Sequence, residues 1–595
     1  MRDVIVIGAG GGGPVIAKEL AEQGLDVLIL EGGRRNENTD RNYTHFEGLN
    51  GNPVTGITRN GPSDPNRSAW FRELPQNAFI WDASGVGGTT QAYFGNCPRA
   101  HPGAFAGFGG DGYQYDTEHL FPFSYDELVP YYRWVEDTLP VQTAAMGTKE
   151  ALFYEGCQAI GLPLNTTKDI TIDSFRPNEN AILQPEGNSG KTTNGDLLRF
   201  PDARGCTFCG YCSIGCNLPK GSPRNLKAKR STHNSYVPMG LTADLWSGSG
   251  KAFTLVANAK VTEIVTDDSR LYARPRVTGV RWRDTHTGEE RQENAKVVVM
   301  AAGSIESPRI WLNSGLPNPN GWVGRGLTDH SLDWVTAVFD QPIEGFKGAA
   351  SAARADFPGR GSLIQVALGP AFYAFTLAFS DSGIRGEYTN GKRRQTLKGA
   401  WDGLPGRVLG RELKNVMAQF PNATSALIIT DDDVEYQNRV DLSDLVEDEY
   451  GPVARIRLAK RGRSQRTLNN RDFLANKAAE IFRAAGAKKV LRLDWPGMLL
   501  HMQSTLRMGL DESDSVLDAD AQARWVDGLY VADNSALANG CGGSNPTVTT
   551  QALATRTAEM IAQTHFGIRP WVGTRRPMSS IDDRVTESVL SRGIL

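Results

Sequence analysis

The apolar run Val4 to Ile7 leads straight into Gly8-Ala9-Gly10-Gly11-Gly12-Gly13, after which the apolar period becomes helical, with Ala17, Leu20 and Ala21 on one face. Gly24 closes that helix, and Val27 to Leu30 form a second strand ending on Glu31. A buried strand, a glycine turn, a helix and a second strand with a terminal acid make the unit that holds a dinucleotide. Gly8 permits the tight turn, Gly10 the close approach of backbone to phosphate, and Gly13 the close packing of the helix. The unpaired N–H groups at the helix N-terminus favour the anion, and Glu31 is placed to meet a ribose hydroxyl.

Segments of the same character recur far downstream, so the nucleotide-binding sheet is expected to be assembled from distant pieces. They are the turn Ser84-Gly85-Val86-Gly87-Gly88-Thr89-Thr90, a strand from Phe253 to Ile264, and the strand Val297 to Gly303, which ends on small residues and precedes a helix through Arg309 to Asn313. Near the other end, Gly528 to Asp533 is a further strand ending on an acid, with a helix after Asn545. Between Trp334 and Lys488 the pattern changes to longer alternating segments, such as Leu363 to Leu368 and Phe372 to Phe379, which predict an antiparallel sheet. The fold class is therefore α/β: a Rossmann-like nucleotide-binding domain built from discontinuous segments (1–100, 196–335 and 497–565), with an α+β substrate-binding domain containing an antiparallel sheet (101–195 and 336–496). The stretch from Ala104 to Gly112 reads as a loop or lid, and 566–595 as a tail without a motif.

Composition narrows the partners. A chain of 595 residues exceeds what a single core of roughly 250–300 residues supports, which implies at least two packed units. Lys and Arg total 64 against 67 Asp and Glu, a formal charge of −3, so no overall field draws the chain to nucleic acid or anionic membranes, and a small-molecule substrate is expected. No run of 18 apolar residues is present, and the first strand starts at Asp3 or Val4 with no room for a signal peptide before it; the expected location is cytoplasmic, with no membrane span.

Among eight histidines, His501 stands out, in His501-Met502-Gln503-Ser504-Thr505-Leu506-Arg507-Met508-Gly509 just before the last nucleotide-type strand. Gly542-Gly543-Ser544-Asn545-Pro546-Thr547 opens a helix with Asn545 as the expected N-cap and Pro546 at the first helical position. With these pieces placed, the chain resembles the glucose-methanol-choline family of FAD-dependent oxidoreductases, in the branch of pyranose-oxidase-like and sterol-oxidase-like members with a cysteine-rich insertion. The resemblance is carried in order by the Gly8 to Glu31 unit, Gly85-Val86-Gly87-Gly88-Thr89, Phe121-Pro122-Phe123-Ser124-Tyr125-Asp126-Glu127-Leu128, Ala301-Ala302-Gly303, Gly324-Arg325-Gly326-Leu327-Thr328-Asp329-His330, the His501 segment, and Asp533 through Asn545-Pro546-Thr547.

That resemblance implies FAD on the Rossmann-like domain and oxidation of an alcohol to a carbonyl. It assigns the hydroxyl-proton acceptor to His501 and the second active-site side chain to Asn545. It places Gly87, Gly88, Thr89 and Thr90 against the flavin, Val261 at the adenine, Ala302 along the cofactor, Asp533 near the ribityl and pyrophosphate, and Pro546 and Thr547 at the helix end facing the flavin. The chemistry agrees independently of the family. Hydride leaves an alcohol carbon only as its oxygen gains negative charge, so a base must take the hydroxyl proton, and imidazole with a pKa of roughly 6.5 suits that task. An Asn amide donates to the developing alkoxide without competing for the proton. Where some relatives carry a histidine that binds FAD covalently, this chain has Ala92, so the expected cofactor is non-covalent FAD.

Cys206, Cys209, Cys212 and Cys216 follow the C-x2-C-x2-C-x3-C spacing of a bacterial ferredoxin run, with Asn217 in place of the ferredoxin proline. Three readings stand side by side: an iron–sulfur cluster, a structural zinc, and thiols or local disulfides. The expected function is FAD-dependent oxidation of a CH–OH donor, such as a secondary alcohol of a sugar or glycoside, with dioxygen or a redox partner as acceptor. Oxidation of a sterol-like or long-chain alcohol, and a flavin-dependent lyase without net redox, are the alternatives. Phe372, Tyr373, Phe375, Phe379 and Trp401 are aromatic candidates for either a substrate wall or a core.

Overall fold

A computed structural model describes the chain except residues 36–78, 81, 110–111, 144–145, 184–204, 207, 211, 217–220, 270–273, 331, 381–401, 403–407, 460–463, 495–497 and 595. It opens with strand β1 (Arg2–Ile7), helix α1 (Gly13–Glu22) and strand β2 (Val27–Glu31), which realise the strand–turn–helix–strand unit expected from the sequence. Gln23 caps α1 and Gly24 follows at φ +88°, a left-handed position where glycine carries no Cβ penalty.

The sheet begun here is completed by segments that arrive much later: β3 (Thr254–Ala257), β4 (Ala259–Asp267), β5 (Arg276–Asp284) and β6 (Glu290–Met300), followed by helix α2 (Gly303–Asn313). Its order is β3-β2-β1-β6-β5-β4. The strands β3, β2, β1 and the C-terminal half of β6 run parallel, whereas β5 pairs antiparallel with both β6 and β4. The single strand expected from Phe253 to Ile264 is thus two strands, broken at Asn258, whose φ of +60° turns the chain.

The chain then builds a second, six-stranded sheet from β7 (Leu332–Val338), β8 (Ala353–Phe357), β9 (Gly361–Val366), β10 (Ala423–Thr430) and β11 (Lys489–Leu493), with the edge strand Ser174–Pro177 beside β8. Every pairing in it is antiparallel, as the alternating pattern predicts. Between β9 and β10 lies helix α3 (Pro370–Phe379), and before β11 helix α4 (Gln465–Ala484). Here the expectation of a strand at Phe372 to Phe379 fails: the segment is a helix that is apolar nearly all round, and such a run carries no period to separate helix from strand. Phe372 and Tyr373 are core residues and Phe375 is half-buried. Trp401 and the Phe379 side chain lie outside the described residues.

Finally β12 (Leu529–Val531) pairs parallel with β6, and helix α5 (Thr547–Phe566) packs on α1. Past it, the stretch with no sequence motif forms helix α6 (Asp583–Ser591), which docks on the segment around Tyr236 to Trp246. The Ala104–Gly112 stretch starts within a short helix, Gly103–Ala106. No described helix is long and apolar enough to cross a membrane.

Candidate active site

The glycine turn divides into positions that pack and one that faces open space. A Cβ at Gly12 would collide with the Ala532 carbonyl and one at Gly13 with the Gly8 carbonyl, so these glycines let α1 sit against β1 and β12. A Cβ at Gly10 would meet nothing within 4 Å, which leaves a cradle of bare backbone at the N-terminal end of α1. That space, at the positive end of a helix dipole, fits the diphosphate of a dinucleotide. Gly10→Val is expected to lower FAD occupancy while leaving the melting temperature of the apoprotein within a few degrees of the parent; Gly12→Ala should instead destabilise the fold. A Gly10 variant that melts as early as the Gly12 variant would show that Gly10 packs against protein.

Glu31 ends β2 with its carboxylate accepting N–H bonds from Ala9 (2.7 Å), Gly33 (2.7 Å) and Gly85 (3.1 Å). It therefore knots the turn to the second glycine loop as well as lying at the expected end of the strand. In that loop Gly87 and Gly88 have φ of +102° and +48°, Gly87 N–H donates to Ala9 (2.7 Å), and a Cβ at Gly88 would meet the Gly10 Cα at 2.7 Å. Thr89 donates to Asp82, and Thr90 shares a 3.1 Å hydrogen bond with Thr232, which donates to the Gly10 carbonyl at 2.8 Å. Thr232 is distant in sequence from the turn, and only the folded chain brings it there.

Val261 is buried on β4, one residue beyond Lys260, whose side chain a Cβ at Gly32 would touch at 3.0 Å. Ala302 caps α2, its N–H donating to Ser307 (3.2 Å). Asp533 lies at the end of β12 and accepts from Gly303 N–H (2.9 Å), Ser307 (2.6 Å) and Ser535 N–H (2.8 Å); burial pushes its carboxyl pKa up despite these donors. Helix α5 starts one residue later than expected. Pro546 is its N-cap, and the Asn545 side chain, rather than capping the helix, turns towards His501. Three successive residues before it, Cys541, Gly542 and Gly543, hold left-handed φ of +55°, +75° and +80°, the tight corner that delivers Asn545.

At the centre His501 Nε2 lies 3.5 Å from Asn545 Nδ2. On the other side of the ring, His501 Nδ1 is 2.9 Å from His330 Nδ1, with the two rings edge-on and their centroids 5.0 Å apart. His330 Nε2 lies 2.9 Å from the Gly540 carbonyl, which can only accept, and this places the His330 proton on Nε2. The Gln503 amide nitrogen lies 3.2 Å from the same ring nitrogen. His330 Nδ1 is then an acceptor, His501 donates to it from Nδ1, and His501 Nε2 keeps its lone pair towards Asn545. Asp329 fixes the backbone, accepting from His501 N–H (2.6 Å) and Leu500 N–H (3.1 Å). Although the His501 ring is partly open, burial and the neighbouring His330 hold its pKa well below the ordinary histidine value, so it stands neutral at physiological pH. The orienting role of His330 was missed in the sequence, although Asp329-His330 directly precedes an apolar strand. His330→Leu is expected to slow substrate oxidation roughly tenfold through loss of this hydrogen bond and to move the acid limb of the pH–rate profile to higher pH, because one cause of the depressed His501 pKa is removed. An unshifted limb would mean that His330 has no electrostatic hold on His501.

The cysteines of the run differ in exposure. Cys206 and Cys212 pack against Ile182, Ala349 and Ala352, whereas Cys209 is exposed. Burial raises the pKa of the Cys206 and Cys212 thiols, and among the described residues no group of three or more His, Cys, Asp or Glu side chains is arranged to hold a metal ion. Nor does a disulfide join them among the described residues. The run is tied to the flavin-type loop by the buried Lys229, whose ammonium donates to the carbonyls of Gln91 (2.7 Å), Tyr93 (2.7 Å) and Cys212 (2.5 Å) and whose pKa burial lowers to about 8.

The chain is similar to several known proteins. The family described as GMC oxidoreductase matches residues 198–332 and 436–554, and an FAD binding domain matches 3–40. A 2-methyl-1,2-propanediol dehydrogenase from Mycolicibacterium austroafricanum is 27% identical, over 98% of this chain and 97% of the relative. The fructose dehydrogenase large subunit from Gluconobacter japonicus is 23% identical over 94% and 97%. Among solved structures, pyridoxine 4-oxidase from Mesorbium loti superposes with a TM-score of 0.57 at 16% identity, covering 95% of this chain and all of that one. A formate oxidase from Aspergillus oryzae gives a TM-score of 0.59 at 13% identity, covering 95% and 98%.

Proposed function

We propose that this chain, which belongs to the GMC oxidoreductase family of FAD-dependent enzymes acting on CH–OH groups, uses His501 and Asn545 to oxidise an alcohol to a carbonyl. The observation that carries the reading is the relay from Gly540 through His330 to His501, which leaves one unprotonated nitrogen beside one amide donor. FAD, when bound, supplies the acceptor for the hydride that leaves the alcohol carbon. His501 Nε2 takes the hydroxyl proton, and Asn545 Nδ2 donates to the oxygen as its negative charge grows. The glycine cradle at Gly10, with Thr232, Thr90 and Asp533 around it, would hold the cofactor without a covalent bond. Relatives named for a diol and for fructose keep small alcohols and sugars within the substrate range.

The test is anaerobic mixing of the purified holoenzyme with a panel of alcohols while the flavin absorbance is followed. Bleaching with formation of the matching ketone or aldehyde is the expected result, and a flavin that stays oxidised across the panel overturns the reading. Re-oxidation by dioxygen, followed in the same cuvette, separates an oxidase from a dehydrogenase. For the cysteine run, the reading carried forward is an iron–sulfur segment, supported by its spacing; absence of iron and acid-labile sulfide in the purified protein would remove it.

A further inference from the structure

The corner that delivers Asn545 also carries Gly540, and one buried side chain holds it. Asn539 is 2% exposed and its amide is fully used: Nδ2 donates to the carbonyls of Ala104 (2.8 Å) and His119 (2.9 Å), and Oδ1 accepts from Cys541 N–H (3.0 Å). Two acceptors at Nδ2 and one donor at Oδ1 leave a single orientation for the amide. Its anchors are themselves fixed. Ala104 lies in the short helix Gly103–Ala106, and Asp116 holds His119, accepting from its N–H (3.2 Å) and lying 3.0 Å from its Nδ1.

Cys541 N–H and Gly540 C=O belong to one peptide unit, and in a planar trans peptide these two bonds point in opposite directions. By taking the N–H, Asn539 turns the carbonyl the other way, to where His330 Nε2 meets it at 2.9 Å. The second lone pair of that carbonyl accepts from Gly543 N–H at 3.0 Å, and a Cβ at Gly540 would meet the Asp432 carbonyl at 2.9 Å. The aim of the carbonyl decides a tautomer. His330 Nε2 stands between an acceptor, Gly540 at 2.9 Å, and an amide nitrogen, Gln503 at 3.2 Å. With the carbonyl in place, the shorter contact puts the proton on Nε2. With the carbonyl turned away, the Gln503 amide becomes the donor, and the His330 proton moves to Nδ1. His501 Nδ1, 2.9 Å away, must then accept, which puts the His501 proton on Nε2, the atom that has to take the substrate proton.

Resting on the alcohol-oxidation reading, we propose that Asn539 is a positioning residue for catalysis: by orienting the Gly540–Cys541 peptide it selects the tautomer of His330 and keeps His501 Nε2 unprotonated. The selection runs from the Ala104 and His119 carbonyls through the Asn539 amide, the peptide and His330 to the base. The Ala104 stretch, which reads as a loop or lid in the sequence, is the footing of that chain.

Nitrogen NMR of the histidine-labelled holoenzyme reads the tautomers directly, with His330→Leu and His501→Ala assigning the signals. In the parent, His330 is expected to be protonated at Nε2 and bare at Nδ1, and His501 the reverse. Asn539→Ala, which leaves a gap, and Asn539→Leu, which fills it, should each invert both tautomers. Each should slow anaerobic flavin reduction by the best alcohol of the panel about tenfold, with the dissociation constant of that alcohol and the FAD content unchanged. Asn539→Ser, whose hydroxyl can still accept from Cys541 N–H, should keep the parent tautomers. In the His330→Leu background, Asn539→Leu should cost less than about twofold more, because both substitutions act through one ring. Parent tautomers retained in the alanine or leucine variant, or a full additional loss of rate in the His330→Leu background, overturns this inference and leaves alcohol oxidation standing. A parent His330 bare at Nε2 overturns it as well. If no alcohol reduces the flavin, the alcohol-oxidation reading falls, and the tautomer spectra alone decide whether Asn539 orients His330.

Discussion

Replacing His501 by alanine slows anaerobic reduction of the bound FAD by about 10²–10⁴-fold, the contribution of a positioned general base. The argument is electrostatic. An alcohol proton is far too weakly acidic to leave unaided at neutral pH, and His501 Nε2 is the nitrogen that the His330–Gly540 relay leaves unprotonated. Stopped-flow absorbance of the flavin gives the rate constant, and the FAD content of the variant should match the parent because His501 is remote in sequence from the glycine turn. Unchanged single-turnover reduction would end the assignment. The parent enzyme supplies a control through pH. A base is active when deprotonated, and burial beside His330 depresses the His501 pKa, so the reduction rate should be level through neutral pH and fall only below the ordinary histidine range. A limb centred at or above pH 7 would contradict the neutral, buried ring.

Asn545→Leu should lower the same rate constant by about 10²–10³-fold, the loss seen when a donor to a developing oxyanion is removed. The residue preserves bulk but deletes the amide that lies 3.5 Å from His501 Nε2. Because His501 keeps its partner His330, the acid limb should stay where it was. A rate loss with an unmoved limb separates an oxyanion donor from a group that merely tunes the base. A variant whose limb moves with little loss of rate would reassign Asn545 to the tuning role.

The turn from Ile7 to Gly13 and the helix after it were legible because continuous apolar strand, glycines and helical period fall within one short stretch. The antiparallel sheet was legible in kind from alternation, but α3 was not, since an apolar run without a polar face lacks the signal that separates helix from strand. Asn545 was expected to cap α5; the preference of Asn for that place is local, and the long-range contact with His501 overrode it. His330 escaped for a related reason. Its role depends on facing His501 across a 171-residue separation and on a carbonyl at Gly540, neither of which leaves a trace in periodicity. The cysteine spacing advertised a ligand set, whereas Cys206, Cys212 and Cys216 are half-buried and Cys209 is exposed.

The parallel pairing of β6 with β12 bears on how the enzyme is made. Val298 aligns with Leu529, and Val4 aligns with both Val27 and Val297. The first partner of β1 emerges from the ribosome within seconds; its second waits for some three hundred residues, and the strand that completes the sheet for more than two hundred beyond that. Such high contact order makes assembly of this sheet slow. Until Leu529–Val531 is synthesised, β6 has an open edge, and the glycine turn lacks the neighbour that Ala532 gives it at Gly12. Cofactor capture is thereby expected only late in synthesis, and nascent chains halted before residue 529 should bind no FAD.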